Sequence, residues 1–315
     1  MTRHRDLAVQ MALLLTPIAC AEESSLSARA HPYDEGVLTE AQLFAAGTVS
    51  TELPEFATSF SPDGETVYFN VAAPDRSSVT IMYSRYRDSA WSPPEPVTFS
   101  GEYFDVDAFV TLEGDRVYFS SSRPTGEDDA ETDFNTWFVE VRNQGWTEPT
   151  LLGEPFNTKS TEVFVSLTRD GSIYFASDRD GESHIYRATI GDPGAGAVRV
   201  PFDLNEVGGT GNPLISPDGM LLVFAAEREG GPGGSDLYVT RRTGDEWSPA
   251  QLIGGNGGSG GNVNSFFTDF APGWSPDGRY LFFTSERPGI MPAVPEGVRP
   301  PGDIYQISLE TIGLP

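Results

Sequence analysis

The sequence predicts an all-β protein, from its composition and from a turn motif that recurs along the chain. The 315 residues include 34 glycines and 25 prolines, and so many turn-forming residues favour many short strands. Hydrophobic residues make up 38% and aromatic residues 11% of the chain, which is enough for a substantial packed core. No long stretch of helical periodicity follows the N-terminus, so strands are the expected elements.

The turn motif occurs in five copies, each leading from a Pro-Asp-Gly-like turn into an aromatic, β-branched strand. The copies are FSPDGETVYFN from Phe60, VTLEGDRVYFS from Val110, LTRDGSIYFA from Leu167, ISPDGMLLVFA from Ile215 and WSPDGRYLFFT from Trp274. Proline presets φ for the turn, aspartate hydrogen-bonds locally and glycine takes the left-handed position. The strand after each turn is apolar on both faces, which predicts burial on both sides. Five copies at nearly even spacing indicate a repeated fold unit rather than five active sites.

Two further strands complete each unit. The third strands are centred on Tyr83, Phe138, Tyr186, Tyr238 and Tyr305, and a fourth strand follows a Trp-Pro corner in three repeats. Four-stranded units repeated around an axis form a β-propeller. The last copy has no fourth strand of its own, whereas segment 40–47 resembles the fourth strands of other repeats. We therefore predict a five-bladed β-propeller of four-stranded antiparallel blades over residues 37–315, with the ring closed by an N-terminal strand.

The N-terminus has the pattern of an export signal, predicted over residues 1–21. Basic residues in MTRHRD precede an apolar run of 13 residues, which is too short to cross a bilayer. Two kinds of processing fit: cleavage after a small residue, or lipidation of Cys20, the single cysteine of the chain. Residues 22–36 are then a polar tether. We expect a protein without a transmembrane span that is periplasmic, anchored to the outer membrane or secreted.

The repeats resemble the PD40 family, the WD40-like, TolB-type propeller repeats of exported bacterial envelope proteins. The stretch FAAEREGGPGGSDLYVTRRTGDEWSPAQLIGG, together with WSPDGRYLFFTSERPG, carries the resemblance most closely. It extends over essentially the whole chain after the signal. The resemblance implies the propeller fold and is much less specific for function, since propellers serve as enzymes, scaffolds and receptors.

The formal net charge of −26 limits the classes of partner. Lys159 is the single lysine, and the remaining basic residues are arginines. Such an acidic surface repels phosphate backbones and anionic lipids, so nucleic acids are not expected as partners.

Two polar series recur with the repeats and have alternative interpretations. Acids precede four of the turns, at Glu55, Asp105, Glu162 and Asp269, and the fourth repeat has Thr210 at this position. Arginines end the second strands, at Arg76, Arg123, Arg179, Arg228 and Arg287. In a structural interpretation the two series form arginine–carboxylate pairs that tie neighbouring loops together. In a functional interpretation the acids surround the channel mouth, where they bind a ligand or act on a glycoside.

Other candidate residues lie in the loops at the same end of the blades. The acidic insertion at Asp128, Asp129, Glu131 and Asp133 offers oxygen ligands for Ca²⁺ or is a solvated loop. The aromatic residues Tyr103, Phe104, Phe266 and Phe267 depart from the repeat and suit recognition. We expect a monomeric, non-catalytic binding or scaffolding module for an envelope protein, peptide or glycan. The alternative is a carbohydrate-active enzyme, a glycoside hydrolase or lyase, that uses carboxylates at the channel mouth.

Overall fold

The chain forms five antiparallel sheets that follow one another along the sequence. A computed structural model describes residues 31–33, 35–126, 133–143, 145–254, 261–291 and 299–315. The predicted signal and Cys20 lie outside these residues, as do Asp128, Asp129 and Glu131 of the acidic insertion. The first strand, β1, is Gln42–Leu43.

Each sheet begins with three long strands in sequence order. In the first blade these are β2 (Glu55–Phe60), β3 (Thr66–Ala72) and β4 (Val79–Arg87), followed by the short outer strands β5 (Ala90–Trp91) and β6 (Glu95–Pro96). In the second they are β7 (Asp105–Val110), β8 (Arg116–Ser121) and β9 (Asn135–Arg142), followed by β10 (Gly145–Trp146) and β11 (Thr150–Leu151). In the third they are β12 (Glu162–Leu167), β13 (Ser172–Ser177) and β14 (His184–Thr189), followed by β15 (Val198–Arg199).

The last two blades repeat the pattern. The fourth consists of β16 (Thr210–Ile215), β17 (Leu221–Ala226) and β18 (Asp236–Thr243), followed by β19 (Glu246–Trp247) and β20 (Gln251–Leu252). The fifth consists of β21 (Asp269–Trp274), β22 (Tyr280–Ser285) and β23 (Asp303–Ser308), with β1 as its outer strand. In the described parts of the chain, helical structure is limited to α1 (Asp203–Val207) and two 3₁₀ turns, Pro193–Ala195 and Leu309–Ile312. None of the helices in the described residues is long and apolar enough to span a bilayer.

The five sheets are the blades of a propeller. The first strand of each sheet contacts the first strands of the sheets on either side, and β21 contacts β2. These five strands therefore surround a central axis, and the predicted five-bladed, all-β architecture is confirmed. We call the end of the ring that carries the hairpins between first and second strands the turn face, and the opposite end the loop face.

The serine and aspartate of each SPDG motif account for its tight turn. The Ser61 hydroxyl accepts from the Thr66 amide at 2.9 Å and donates to Asp63, whose Oδ1 also accepts from the Glu65 amide at 3.0 Å. Gly64 has a φ of 70°, a conformation that costs a glycine little. The same serine–aspartate bonds recur in the motifs at Ser216 and Ser275.

Five hydrophobic clusters lie at the five seams between blades, and a sixth, smaller one is formed by first-strand residues around Ala57, Phe164 and Ala271. Second-strand phenylalanines supply the most deeply buried rings, all 0% exposed: Phe69, Phe119, Phe175, Phe224 and Phe282. The second strands are thus buried on both sides, as their apolar pattern predicts. The corner tryptophans pack at these seams rather than project into solvent; the Trp146 ring lies 5.5 Å from those of Tyr83 and Phe99.

The N-terminal segment contributes to the seam between the fifth and first blades. In β1, Gln42 pairs with Gln306 and Leu43 with Tyr305 of β23. Tyr33 is 1% exposed and lies in the same cluster as Phe44. The packed part of the chain therefore begins at least at Tyr33, earlier than the boundary at residue 37 that the sequence suggests.

Candidate functional site

The recurrent acids occupy the loop-face ends of the first strands, and they are buried. Asp105, Glu162 and Asp269 are each 0% exposed. Each pairs with the arginine of its own blade: Arg123 with Asp105 at 2.8 Å, Arg179 with Glu162 at 3.1 Å, and Arg287 with Asp269 at 2.8 Å. For these three blades the structure agrees with the interpretation of the two series as arginine–carboxylate pairs.

Each acid also fixes the turn immediately before it. The carboxylates of Glu55, Asp105, Glu162 and Asp269 accept hydrogen bonds from the backbone amides four residues upstream: Thr51 at 2.9 Å, Gly101 at 3.3 Å, Thr158 at 2.9 Å and Ser265 at 2.6 Å. The paired arginines also donate to carbonyls of the incoming chain, such as Arg123 to Phe99 at 2.8 Å. The acid series thus holds the loops of this face in place from beneath.

The first blade departs from this arrangement. Glu55 is 1% exposed and is bonded to Thr51, but no arginine of the described residues pairs with it. Burial, together with the nearby Asp303, raises the pKa of Glu55 to about 7. Arg76, which the sequence groups with the other arginines, instead approaches Glu286 at 3.6 Å and donates to the Pro300 carbonyl at 3.2 Å.

Strand register explains why Arg76 does not belong to the series of paired arginines. Glu55 pairs with Val71, as Asp105 pairs with Ser121, so the position that corresponds to Arg123 is Ala73. A proline follows both residues, which makes this correspondence visible in the sequence as well. Grouping Arg76 with the series was therefore wrong by three residues.

The fourth blade lacks the acid and keeps the arginine. Arg228 donates to the carbonyls of Leu204 at 2.9 Å and Gly208 at 2.5 Å, while Thr210 donates to Asn205. The arginine therefore holds the incoming loop through backbone carbonyls alone.

Exposed apolar side chains lie on the turns that the acids hold. Phe266 is 89% exposed, and Phe104 and Phe267 are each 37% exposed. Leu53 and Val207 occupy similar places before the first strands of blades one and four. We call Leu53, Phe104, Val207, Phe266 and Phe267 the loop-face apolar residues. In the third blade the exposed residues of the corresponding turn are Thr158 and Lys159.

Tyr103 differs from the other three predicted aromatics because its ring is half-buried. The Arg123 guanidinium lies 5.5 Å from the ring centroid, so Tyr103 packs on the ion pair beneath the turn. The structure therefore brings Tyr103 and Phe104 together in one turn, and Phe266 and Phe267 together in another.

The turn-face half of the channel holds a cavity of about 900 Å³. Its inner end is formed by Ala57, Asp107 and Phe164, the third residues of their first strands, and its outer end by the SPDG-type turns. In all five first strands the third residue has a positive φ and lies within a break in the strand pairing. None of the four recurrent acids borders this cavity.

Asp107 is the residue that sequence reasoning missed. It is the one acid that the first strands present to the cavity, and burial raises its pKa to about 7. The corresponding residues of the other blades are Ala57, Phe164, Asn212 and Ala271. Comparing the repeats two residues after each acid would have singled out Asp107 as a departure from the pattern.

The Ca²⁺ hypothesis falls largely outside the described residues, with Asp133 the exception. Within the described ranges no group of three or more His, Cys, Asp or Glu side chains is arranged to hold a metal. His184, the one histidine within the blades, is buried, and its Nδ1 lies 2.5 Å from the Asn205 carbonyl.

Comparisons with known proteins identify the fold of the chain but do not assign it to a family. No protein-family model and no curated protein matches the chain. Among solved structures, a thermostable family-43 glycoside hydrolase has a TM-score of 0.53 and 12% identity, covering 84% of this chain and 92% of its own. An α-L-arabinofuranosidase from Lactobacillus brevis has a TM-score of 0.52 and 14% identity, covering 84% and 93%. TolB from Acinetobacter baumannii has a TM-score of 0.48 and 12% identity, covering 81% and 54%. At such identities, similarity to the first two structures establishes a propeller fold and leaves the activity of this chain open.

Proposed function

We propose that this chain is an exported, non-catalytic binding module of the bacterial cell envelope, built from PD40-type repeats. Its partner, an envelope protein, peptide or glycan, docks on the loop face. The observation that carries the proposal is the exposure of Phe266, Phe267 and Phe104 on turns that buried acids hold rigidly.

The display of Phe266 illustrates the argument. The Ser265 amide and hydroxyl both donate to Asp269, and the Phe267 carbonyl accepts from the Gly234 amide at 3.2 Å. The backbone on both sides of Phe266 is thus fixed while its ring remains in water. Exposed aromatic side chains on a fixed backbone suit binding, because little conformational entropy is lost when the partner arrives.

The carbohydrate-active alternative receives less support from the geometry. Hydrolysis of a glycoside commonly requires two carboxyl groups that flank the bond, one acid and one base or nucleophile. Asp105, Glu162 and Asp269 are instead buried in ion pairs, and of the first-strand acids Asp107 alone borders the cavity. We therefore favour binding over catalysis.

The test combines three substitutions on the loop face: Phe104→Ala, Phe266→Ala and Phe267→Ala. We expect the triple variant to lose at least tenfold in retention of envelope partners from extracts of the source bacterium. Its melting temperature should stay within about 2 °C of the wild type, because exposed residues contribute little to stability. The matched control is Val198→Ala, which removes an apolar group that is 62% exposed on the outer strand β15.

Undiminished retention by the triple variant would place binding elsewhere on the ring. Cleavage of a glycan by the wild type, abolished by Asp107→Asn, would replace the proposal with the enzymatic alternative. Mass measurement of the mature protein checks export: a start at Glu22 or a diacylated Cys20 supports it, and retention of residues 1–20 contradicts it.

A further inference from the structure

The cavity on the turn face, which we call the cup, has apolar residues along its wall and Asp107 at its inner end. Charged residues of both signs, among them Arg169 and Asp218, lie in the turns at its outer end. Phe109, Leu214, Met220 and Trp274 contribute to the wall. The floor lies where the first and second blades meet, beside Asp107. A volume of about 900 Å³ is within the range of small-molecule sites in proteins. The loop-face apolar residues do not border the cup, so the two surfaces are separate.

Two polar side chains near this floor, one of them behind the lining of the cup, have no hydrogen-bond partner. Asn70 is 0% exposed, and neither its amide nitrogen nor its amide oxygen is hydrogen-bonded. The hydroxyl of Thr58, which borders the cup and is 7% exposed, is also unpartnered. The Asn70 amide lies close enough to the Asp107 carboxylate to lower its pKa, as a weak donor would, although the two groups do not reach hydrogen-bond distance and angle. Buried polar groups without partners are rare and costly, so each such group requires an explanation.

The other seams show that this lack of partners is not a property of the repeat. Strand pairing places Asn70 at the position of Ser120 in the second blade and Thr284 in the fifth. Ser120 accepts from the amide of Phe164, and Thr284 accepts from the amide of Ala57, both at 3.2 Å across the seam. Of these three seams, the one between the first and second blades alone combines an amide without a partner, that of Asn70, with a carboxylate, that of Asp107. Among these three seams, the departure from the repeat therefore lies at the one that contains Asp107.

A positively charged group with several N–H donors would satisfy this floor. Desolvation raises the pKa of Asp107, and no arginine offsets that effect. An ammonium group is compact and carries three donors for acceptor oxygens of residues that border the cup, such as Asp107 and Thr58. It would also favour the ionised carboxylate, because an opposite charge stabilises the charged form. The net charge of −26 further raises the local concentration of cations around the protein.

We propose that the cup is a binding site for small organic amines, whose ammonium group pairs with Asp107 at the floor and whose apolar part lies along the wall. This site is independent of the proposed docking of a partner on the loop face.

The experiment uses hexylamine as the probe and 1-hexanol as its neutral analogue. Isothermal titration should give saturable one-to-one binding of hexylamine to the wild type, with an affinity for 1-hexanol at least tenfold weaker. Asp107→Asn should weaken hexylamine binding at least tenfold and remain folded, because it removes a half-buried charge with little change of shape. The matched control is Glu40→Gln, which removes an exposed charge from a residue that does not border the cup. Its hexylamine affinity should equal that of the wild type.

Two further measurements keep the proposal falsifiable. Thr58→Val removes one acceptor from the floor with little change of volume and should weaken hexylamine binding. Hexylamine should also shift the side-chain amide resonances of Asn70 in the wild type. Equal affinities for hexylamine and 1-hexanol, or equal losses in the Asp107 and Glu40 variants, would overturn the proposal. A third result would also overturn it: Ca²⁺ or Na⁺ stabilises the wild type, hexylamine does not, and the metal effect disappears in Asp107→Asn. The cup would then be a metal site.

Discussion

At the residue scale, the arginine–carboxylate pairs convert a repeated sequence feature into fixed loops. Each paired acid is fully buried, whereas the arginine side chains are 12–15% exposed. Serine two residues before the arginine recurs where the pair forms; Ser121, for example, accepts from Arg123 Nε at 2.8 Å. The fourth blade has Ala226 in that place and lacks the acid, so the serine is a local indicator of pairing.

Arg123→Met should destabilise the protein by about 3–5 kcal/mol, because it leaves the carboxylate of Asp105 buried without a counter-charge. Urea unfolding measures the loss. The control Arg142→Ala removes a largely exposed partner of Glu140 and should change stability by no more than about 0.5 kcal/mol. Combining Arg123→Met with Asp105→Asn should recover part of the loss. Equal effects of Arg123→Met and Arg142→Ala would mean that the buried ion pair contributes no more to stability than the exposed one.

At the element scale, the N-terminal segment joins two blades that are far apart in sequence. Phe44 is 2% exposed, and its ring centroid lies 5.1 Å from that of Phe282 in the fifth blade and 5.8 Å from that of Phe60 in the first. The Ser50 hydroxyl donates to the Ile304 carbonyl at 3.2 Å. The segment thus fills the seam and pairs with the outer edge of β23.

A chain that starts at residue 49 should therefore melt well below one that starts at residue 31, since it exposes the edge of β23 and the rings beneath Phe44. Phe44→Ala in the full chain should cost about 3–5 kcal/mol in urea unfolding, as for other large buried side chains. Val37→Ala, in the same segment but 64% exposed, is the control and should cost less than about 0.5 kcal/mol. Equal melting temperatures for the two truncated chains would mean that the ring is closed without this segment.

At the scale of the whole molecule, buried acids without a counter-charge make stability depend on pH. Burial raises the pKa values of Glu55 and Asp107 to about 7, and those of Asp236 and Asp303 to about 6. The folded state therefore binds more protons than the unfolded state at pH values above the ordinary carboxyl range. Stability must fall as pH rises through that interval.

We expect the free energy of unfolding to be greater at pH 5 than at pH 7.5 at constant ionic strength, with most of the change between pH 4.5 and 7. Each unit of pKa shift corresponds to about 1.4 kcal/mol. Below about pH 4 the trend should reverse, because hydrogen bonds in the turns lower the pKa values of Asp170 and Asp218. Glu55→Gln should reduce the slope between pH 5 and 7.5, whereas Glu246→Gln, an exposed control, should not. A stability that rises steadily from pH 5 to pH 8 would contradict this account.

The sequence by itself determined the number of blades and their internal order. Local chemistry carries that information: SPDG specifies a tight turn through its own serine, aspartate and glycine, and the apolar strands after it must be buried on both sides. The repeat also placed the recurrent acids correctly at one end of the first strands. It placed the exposed Phe104, Phe266 and Phe267 in the loops of that end.

Only the tertiary structure decided which groups meet across the seams. Arg76 meets Glu286 and the Pro300 carbonyl of the fifth blade, partners that nothing in its own repeat indicates. Asp107 gains its importance from Asn70, which lies in another blade, and from the break in its own strand. Such relations depend on contacts between residues far apart in sequence and on exclusion of water, and no local pattern encodes them. The physical reason is that the hydrogen bonds of a turn come from residues next to it in sequence. Whether a buried charge has a counter-charge or hydrogen-bond partner depends instead on the neighbouring blade.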